Sequence, residues 1–337
     1  MCCKKIILKN IDIAKKYPVK YFLLILCILL LAWFEVWEYL SPLPAHNWIA
    51  ANLKNIKVND PDNFSFAVFG ENKDSKFVFE NMLKLIDHDQ EIAFAIDLGD
   101  FVESGEKKEY KYFLKRIKSF LSLPVLTVMG YNELTGNGRK LYYEIFGPGY
   151  YSFQIGKNYF IVLDDTEGLD QKQENWLENE LENSIDFDNC IVFMHLPLFD
   201  PRSGLQNQFL NEKVSCKLVD IFSKYRVSHV FASHIPGFYQ GSWEKIPYTS
   251  TGGAGMDFEG NDPEHEYFHF LKVQIRNNSL NFKVQHVPSE ENEWMNLFTH
   301  FDPFYIYAFK IQWIESFLLL FIGGLILVIW KSDYRKH

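Results

Sequence analysis

Two histidines and one aspartate of this sequence each stand directly after a short apolar run. His195 follows the run IVFM, His234 follows VFAS, and Asp100 follows IAFAIDL and a glycine. A single histidine at the end of a buried strand is more often a packed or capping residue than a metal ligand. Two of them together with a Gly-Asp pair favour a site for a divalent cation, because imidazole and carboxylate groups suit such ions.

Further polar residues follow two other apolar runs. Glu71 and Lys73 come after NFSFAVFG, and Tyr131 and Asn132 come after VLTVMG. Ligands of open α/β sheets bind beyond the carboxyl ends of the strands, so these residues are expected at the same rim as the histidines. Glu71 is a candidate ligand because it keeps a carboxylate on a longer arm. Lys73 cannot bind a metal ion while it is protonated, and its ammonium would instead supply a fixed positive charge.

Strands and helices alternate in the region that precedes and contains these residues. Apolar strands are predicted at residues 64–69, 92–98 and 125–129, with helical spacing between them at 76–86 and 110–121. Alternation of this kind predicts right-handed crossovers and a largely parallel sheet.

The following part of the chain predicts a second sheet. Turn residues at 156–158 indicate a hairpin between strands at 151–155 and 159–164. Further elements are predicted as strands at 190–195, 229–232, 266–275 and 280–286, and as helices at 171–181 and 214–224. We therefore predict an α/β fold with one domain at residues 61–290, in which two mixed β-sheets pack face to face with helices outside.

These residues and their order resemble the calcineurin-like metallophosphoesterase family over nearly the whole middle region. Its Gly-Asp block is similar to LGDFVE at 98–103, its lone-histidine block to FMHLP at 193–197, and its last histidine block to SHIP at 233–236. The resemblance implies a sandwich of two mixed sheets. It also implies two metal ions about 3.5–4 Å apart, bridged by Asp100, with His195 and His234 as ligands of one of them.

The sequence departs from that family at five positions, two of them in the first block. The first block, Asp-x-His, reads Glu71-Asn72-Lys73; the asparagine ligand is replaced by Tyr131, the acid histidine by Asn132, and the last ligand histidine by Pro236. Proline offers no side-chain ligand, and Lys73 would bring an ammonium to the place of the first metal ion. We expect at most one divalent ion (Mn, Fe or Zn), or none, held by Asp100, His195, His234 and Glu71, with Lys73 and Asn132 at the catalytic positions.

Two functions follow from this pattern. One is a phosphoesterase-family domain that binds a phosphorylated ligand or a partner, with hydrolysis lost or much reduced. The alternative is a single-metal phosphomonoesterase or phosphodiesterase acting on an envelope substrate, for which Lys73 would stabilise a phosphoryl oxygen. Expected ligands are a phosphorylated small molecule, lipid or glycan, and the sequence indicates no particular protein partner.

Both ends of the chain carry long apolar segments. We predict transmembrane helices at 21–38 and 311–330, although the first could also be a signal peptide whose cleavage site would be atypical. The short flanks at 1–20 and 331–337 are basic, so both ends are expected in the cytoplasm and the main domain outside it, at the plasma or inner membrane. Residues 39–60 are predicted as a stalk and 291–310 as a juxtamembrane segment.

Charge and local sequence context argue against two other functions, nucleic-acid binding and zinc-dependent proteolysis. The net charge is -9, and the two basic flanks hold nine of the 34 basic residues, so the region between them is still more acidic. An acidic surface of this kind repels phosphate backbones, which excludes nucleic acid as a partner. The pattern HEYFH at 265–269 matches a zinc-protease motif, but it continues as strand alternation, whereas that motif requires a helix.

Overall fold

The computed structural model describes residues 18–73, 75, 77–202, 210–260, 262–289 and 320–327. The chain divides into two compact units. One comprises Met1–Pro42 and Leu297–His337, and its described part contains helix α1 (Pro18–Leu40) and a helical stretch at 320–327. The other, Leu43–Asn296, contains every β-strand of the described residues.

The predicted membrane helices are covered to different extents. Residues 21–38 lie within α1, and most of 311–330 lies outside the described residues. None of the helices in the described ranges combines the length and the apolar character that crossing a membrane requires.

The first sheet of the large unit contains five strands: β1 (Asn63–Phe69), β2 (Ile92–Asp97), β3 (Val125–Thr127), β10 (His269–Arg276) and β11 (Ser279–His286). Their order in the sheet is β11-β10-β1-β2-β3. β1, β2 and β3 are parallel, and β10 pairs with β1 and β11 in antiparallel fashion.

The second sheet contains six strands: β4 (Tyr151–Ile155), β5 (Asn158–Val162), β6 (Asn189–Phe193), β7 (His229–Ala232), β8 (Phe238–Trp243) and β9 (Ile246–Thr251). Their order in the sheet is β4-β5-β6-β7-β9-β8. The four central strands are parallel, and each edge strand is antiparallel to its neighbour. The prediction of an α/β fold with two mixed sheets is confirmed.

Phenylalanine rings fill the space between the two sheets. Phe66 of β1 lies 5.7 Å from Phe160 of β5 and 6.2 Å from Phe193 of β6, measured between ring centroids, and Phe94 of β2 lies 6.2 Å from Phe160. All four side chains are fully buried. Burying a large apolar side chain contributes about 1.5–3 kcal/mol, so this layer fixes how the two sheets face each other.

Among the described residues, six α-helices complete the large unit: α2 (Trp48–Asn55), α3 (Phe77–His88), α4 (Lys107–Phe120), α5 (Gly138–Ile145), α6 (Gln171–Asn183) and α7 (Glu212–Lys224). Apolar faces of α3 and α4 belong to the same core cluster as the first sheet, whereas α6 and α7 share a second cluster with the second sheet. The helices therefore cover the outer faces of the sandwich and leave the carboxyl ends of the parallel strands open for a site.

Helix α2 lies in the segment that was predicted as a stalk. The indole nitrogen of Trp48 donates to the backbone oxygen of Val125 at 2.8 Å, and the side-chain oxygen of Asn52 accepts from the Val125 backbone nitrogen at 3.0 Å. Because β3 is an edge strand, part of its backbone has no partner strand, and these two bonds supply partners for the carbonyl oxygen and the nitrogen of Val125. Helix α2 therefore belongs to the compact unit Leu43–Asn296, together with the strand that it covers.

Candidate metal centre

Four loops at the carboxyl ends of parallel strands bring the site together. Glu71 follows β1, Asp100 follows β2, His195 follows β6 and His234 follows β7. One ligand atom from each of these residues lies within 4.8 Å of the others. The structure thus brings together all four residues that the sequence suggested as metal ligands, from both sheets of the sandwich.

Three of these four residues have left-handed backbone conformations. The φ angles are 62° at Glu71, 57° at Asp100 and 64° at His234. Residues with a Cβ atom rarely adopt such angles, and each instance costs about 1–3 kcal/mol. Surrounding hydrogen bonds must therefore hold the loops in place.

Glu133 provides the largest set of these bonds. Its buried carboxylate accepts from the backbone nitrogens of Gly130 at 2.6 Å, Asp100 at 2.9 Å, Phe101 at 3.0 Å and Val102 at 3.2 Å. Burial, followed by the charge of Asp100, raises the pKa of Glu133 well above its usual range. Glu133 therefore fixes the loop that carries Asp100, a role that sequence reasoning did not assign to it.

We expect Glu133→Gln to lower the free energy of unfolding by about 3 kcal/mol, because an amide nitrogen would face backbone donors that need an acceptor. Urea denaturation of the full-length chain measures this change. The control is Glu167→Gln. The side chain of Glu167 is 71% exposed and pairs with Arg139 at the surface, so this substitution should change stability by less than about 1 kcal/mol. Equal effects of the two substitutions would show that Glu133 does not hold the loop.

Asp165 holds the histidine loop in a similar way. Its carboxylate accepts from the backbone nitrogens of His195 at 2.9 Å and Leu196 at 2.7 Å. Burial raises the pKa of Asp165 to about 7 despite these bonds. The sequence signal for this residue is weak, because it is one of two adjacent aspartates after β5.

The ring of His195 is oriented by one backbone bond. Its Nδ1 lies 2.8 Å from the carbonyl oxygen of Leu98, which can only accept, so Nδ1 carries the proton and Nε2 presents its lone pair to the site. Nε2 lies 3.2 Å from His234 Nδ1 and 3.4 Å from Asp100 Oδ1. Burial lowers the pKa of both histidines, and His195 adds to this effect at His234, whose pKa falls to about 3. Neutral imidazoles of this kind are the form that binds metal ions.

The Lys73 ammonium lies between two of the candidate ligands. Nζ is 3.4 Å from Glu71 Oε2 and 3.4 Å from Asp100 Oδ2, and the side chain is 20% exposed. Burial lowers the pKa of Lys73, but the nearby charges of Glu71 and Asp100 outweigh this and raise it. Burial raises the pKa of Asp100, yet His195 and Lys73 lower it overall. A protonated lysine therefore lies against an ionised aspartate.

The buried carboxylate of Glu71 lacks hydrogen-bond donors among the described residues. Its side chain is fully buried, and neither carboxylate oxygen has a hydrogen-bond partner among the described residues, although Lys73 forms an ion pair with it. Burial and the charge of Asp100 raise its pKa well above the usual range. An unsatisfied buried carboxylate beside two neutral imidazoles and a second carboxylate fits a divalent cation, which would supply the missing contact.

Asn132, Tyr131 and Pro236 occupy the other positions at which the sequence departs from the family. The side-chain amide of Asn132 donates to the backbone oxygen of Val102 at 3.0 Å, and its backbone nitrogen donates to Asp100 Oδ1 at 2.8 Å. Tyr131 is 51% exposed, with its ring 6.1 Å from that of His234. Pro236 is buried.

The HEYFH segment is not helical. His269 begins β10, with Nδ1 donating to the backbone oxygen of Tyr267 at 2.8 Å, and His265 bonds the backbone oxygen of Phe238 at 2.7 Å. The prediction that this motif is coincidental is confirmed, because the two histidines are bound separately by the backbone.

The chain is similar to known proteins in sequence and in structure. The sequence model of the calcineurin-like phosphoesterases matches residues 64–238. No curated protein sequence matches the chain. Many solved structures are similar to this chain, and three of them with TM-scores above 0.5 are described next.

GAP50 of Plasmodium, described as the anchor in the inner membrane complex, is 15% identical to this chain, with a TM-score of 0.52. The match covers 72% of this chain and 95% of the GAP50 chain. The purple acid phosphatase PPD1 from yellow lupin seeds is 15% identical with a TM-score of 0.53, covering 66% of this chain and 51% of its own. PhoD is 10% identical with a TM-score of 0.51, covering 67% of this chain and 68% of its own.

Proposed function

This chain belongs to the calcineurin-like phosphoesterase family, and we propose that it is a membrane-anchored member that binds a phosphorylated ligand through a single divalent cation, with hydrolysis lost or much reduced. The observation that carries the proposal is the position of Lys73. Its ammonium lies 3.4 Å from both Glu71 and Asp100, where the family resemblance implies a first metal ion.

The remaining groups support one cation. His195, His234, Asp100 and Glu71 offer four ligand atoms, and Pro236 offers none where the family has another histidine. When bound, a divalent cation would supply positive charge and Lewis acidity toward a phosphate oxygen. Before any cation binds, the carboxylate of Asp100 opposes an anion at this place, so binding of the phosphorylated ligand is expected to require the metal.

The position of Asn132 argues against efficient hydrolysis. General acid catalysis needs a group that exchanges a proton near neutral pH. An amide cannot do so, and here it is already bound to the backbone oxygen of Val102. Lys73 remains protonated because of its two carboxylate neighbours, so it acts as a fixed charge rather than as an acid or base.

A single-metal phosphomonoesterase or phosphodiesterase acting on an envelope substrate is the alternative, and the Lys73 ammonium favours it. This group is partly exposed and adjoins the candidate cation site, so it could contact a phosphoryl oxygen as well as Asp100. The two functions share the same ligand classes, which are phosphorylated small molecules, lipids and glycans, and they differ only in turnover.

One experiment separates the two functions. The full-length chain is purified in detergent, loaded with Mn²⁺, and tested for phosphate binding by calorimetry and for cleavage of an aryl phosphodiester and an aryl phosphomonoester. We expect Mn²⁺-dependent phosphate binding with turnover close to that of a sample treated with a chelator. Metal-dependent turnover that is lost in Asp100→Asn would establish the hydrolase instead. Failure of the Mn²⁺-loaded chain to bind either inorganic phosphate or an organic phosphate would refute the proposed function.

Membrane anchoring is proposed from the apolar segments at 21–38 and 311–330 and their basic flanks. The description of GAP50 as an anchor in a membrane complex offers an analogy within the same fold. We propose that the domain lies outside the cytoplasm, at the plasma or inner membrane. Two membrane anchors would flank it in the sequence, with the N-terminus and the C-terminus of the chain both in the cytoplasm.

Cysteine labelling tests this orientation. Cys216 is exposed on the domain, whereas Cys190 and Cys27 are buried, and Cys2 and Cys3 lie in the flank predicted to be cytoplasmic. We expect a membrane-impermeant maleimide to label intact cells at Cys216 only, and Cys216→Ser to remove the signal. Labelling that persists in Cys216→Ser but disappears in a Cys2→Ser/Cys3→Ser variant would show the opposite orientation.

A further inference from the structure

Tyr131 replaces a residue that the family resemblance implies to be a metal ligand, and the structure shows where its side chain goes. The four candidate ligand atoms come from Glu71, Asp100, His195 and His234. The ring of Tyr131 lies 6.1 Å from the ring of His234, at an interplanar angle of 41°. The aromatic ring of Tyr131 therefore lies beside one of the candidate ligands.

The backbone of Tyr131 is fixed although the ring is 51% exposed. Its carbonyl oxygen accepts from the backbone nitrogen of Leu134 at 3.1 Å. On either side, Gly130 is bound by Glu133 and Asn132 by Asp100. A ring on such a rigid base loses little conformational entropy when a ligand contacts it.

The ring of Tyr131 therefore offers an exposed aromatic face beside a candidate ligand of the cation, where the organic part of a ligand could contact it.

We propose that Tyr131 determines specificity by stacking on an aromatic or similarly flat group that is attached to the bound phosphate. This inference rests on the proposed function, because it requires a phosphate held at the cation. It narrows the expected ligands from any phosphorylated molecule to organic phosphates with a ring next to the phosphate. Inorganic phosphate and acyclic phosphates are expected to bind more weakly.

Calorimetry on the Mn²⁺-loaded full-length chain tests the proposal with three probes: phenyl phosphate, ethyl phosphate and inorganic phosphate. Stacked aromatic pairs contribute about 0.5–1.5 kcal/mol, so we expect phenyl phosphate to bind roughly threefold to tenfold more tightly than ethyl phosphate. Tyr131→Phe should keep this preference and Tyr131→Ala should remove it. Tyr225→Ala is the matched control, since the Tyr225 hydroxyl contacts Glu182 of α6 on the outer helix layer.

The possible outcomes are distinct. Equal binding of phenyl and ethyl phosphate by the unmodified chain, or an unchanged preference in Tyr131→Ala, would overturn the role of Tyr131 while leaving the proposed function intact. Weaker Mn²⁺ binding in Tyr131→Phe would show that the hydroxyl is a metal ligand, and would also overturn it. Failure of all three probes to bind would refute the proposed function together with this inference.

Discussion

Replacing His195 by alanine is expected to lower the affinity of the chain for Mn²⁺ or Zn²⁺ by about 100-fold or more. His195 is fully buried, and its Nε2 is aimed at the site because Nδ1 is bound to the backbone oxygen of Leu98. Loss of a group that only orients a ligand typically costs about 10–100-fold in affinity, so loss of the ligand itself should cost at least the upper part of this range. Calorimetric titration of chelator-treated protein measures the change.

The control for this substitution is His286→Ala. His286 is exposed at the end of β11, where its ring lies 4.7 Å from that of Tyr267, and it has no part in the candidate ligand set. Its replacement should leave metal affinity within about twofold of the unmodified chain, a difference of roughly 0.4 kcal/mol. If both alanine variants bound the ion as tightly as the unmodified chain, the proposed ligand set would be incorrect.

Replacing Lys73 by methionine is expected to have two opposite effects. Without a metal ion, the variant should lose about 3 kcal/mol of stability, since removing one partner of a largely buried pair leaves Asp100 without its cation. With the ion present, affinity should rise roughly tenfold or more, because two unit charges about 4 Å apart repel by about 4 kcal/mol at an effective dielectric constant of about 20.

Thermal melting with and without Mn²⁺ measures both effects in one series. The ion should raise the Tm of Lys73→Met by more than it raises the Tm of the unmodified chain. Lys272→Met is the matched control, because Lys272 is 11% exposed and pairs with Asp89 at 2.6 Å and Glu91 at 2.7 Å. That variant should also be destabilised, but Mn²⁺ should not compensate for it. If Mn²⁺ raised the Tm of both lysine variants by the same amount, Lys73 would have no specific effect on metal binding.

The ligand residues could be predicted from the sequence because each follows a buried strand. Parallel strands deliver their carboxyl ends to one rim, so Asp100, His195 and His234 were expected to meet without any knowledge of their exact distances. Glu71 and Lys73 follow β1 in the same way. What the strand pattern could not provide was the orientation of each side chain, such as the amide of Asn132 turned toward the Val102 backbone.

Other features were missed for reasons of local composition. Strand β8 has the sequence FYQGSW, with three consecutive exposed residues and therefore no regular alternation. Helix α2 has only eight residues, and a helix of that length is marginal by itself, so it depends on the bonds that Trp48 and Asn52 make to Val125. The role of Glu133 depends on backbone nitrogens some 30 residues away in the chain, which no local pattern encodes.

The number of metal ions bound per chain decides whether the Lys73 ammonium replaces one of the two ions. The full-length protein is saturated with Mn²⁺, freed of unbound metal, and measured by native mass spectrometry together with elemental analysis. We expect one ion per chain in the unmodified protein, because the Lys73 ammonium takes the place of the other. Two ions bound per chain with Lys73 intact would show that the ammonium does not replace an ion.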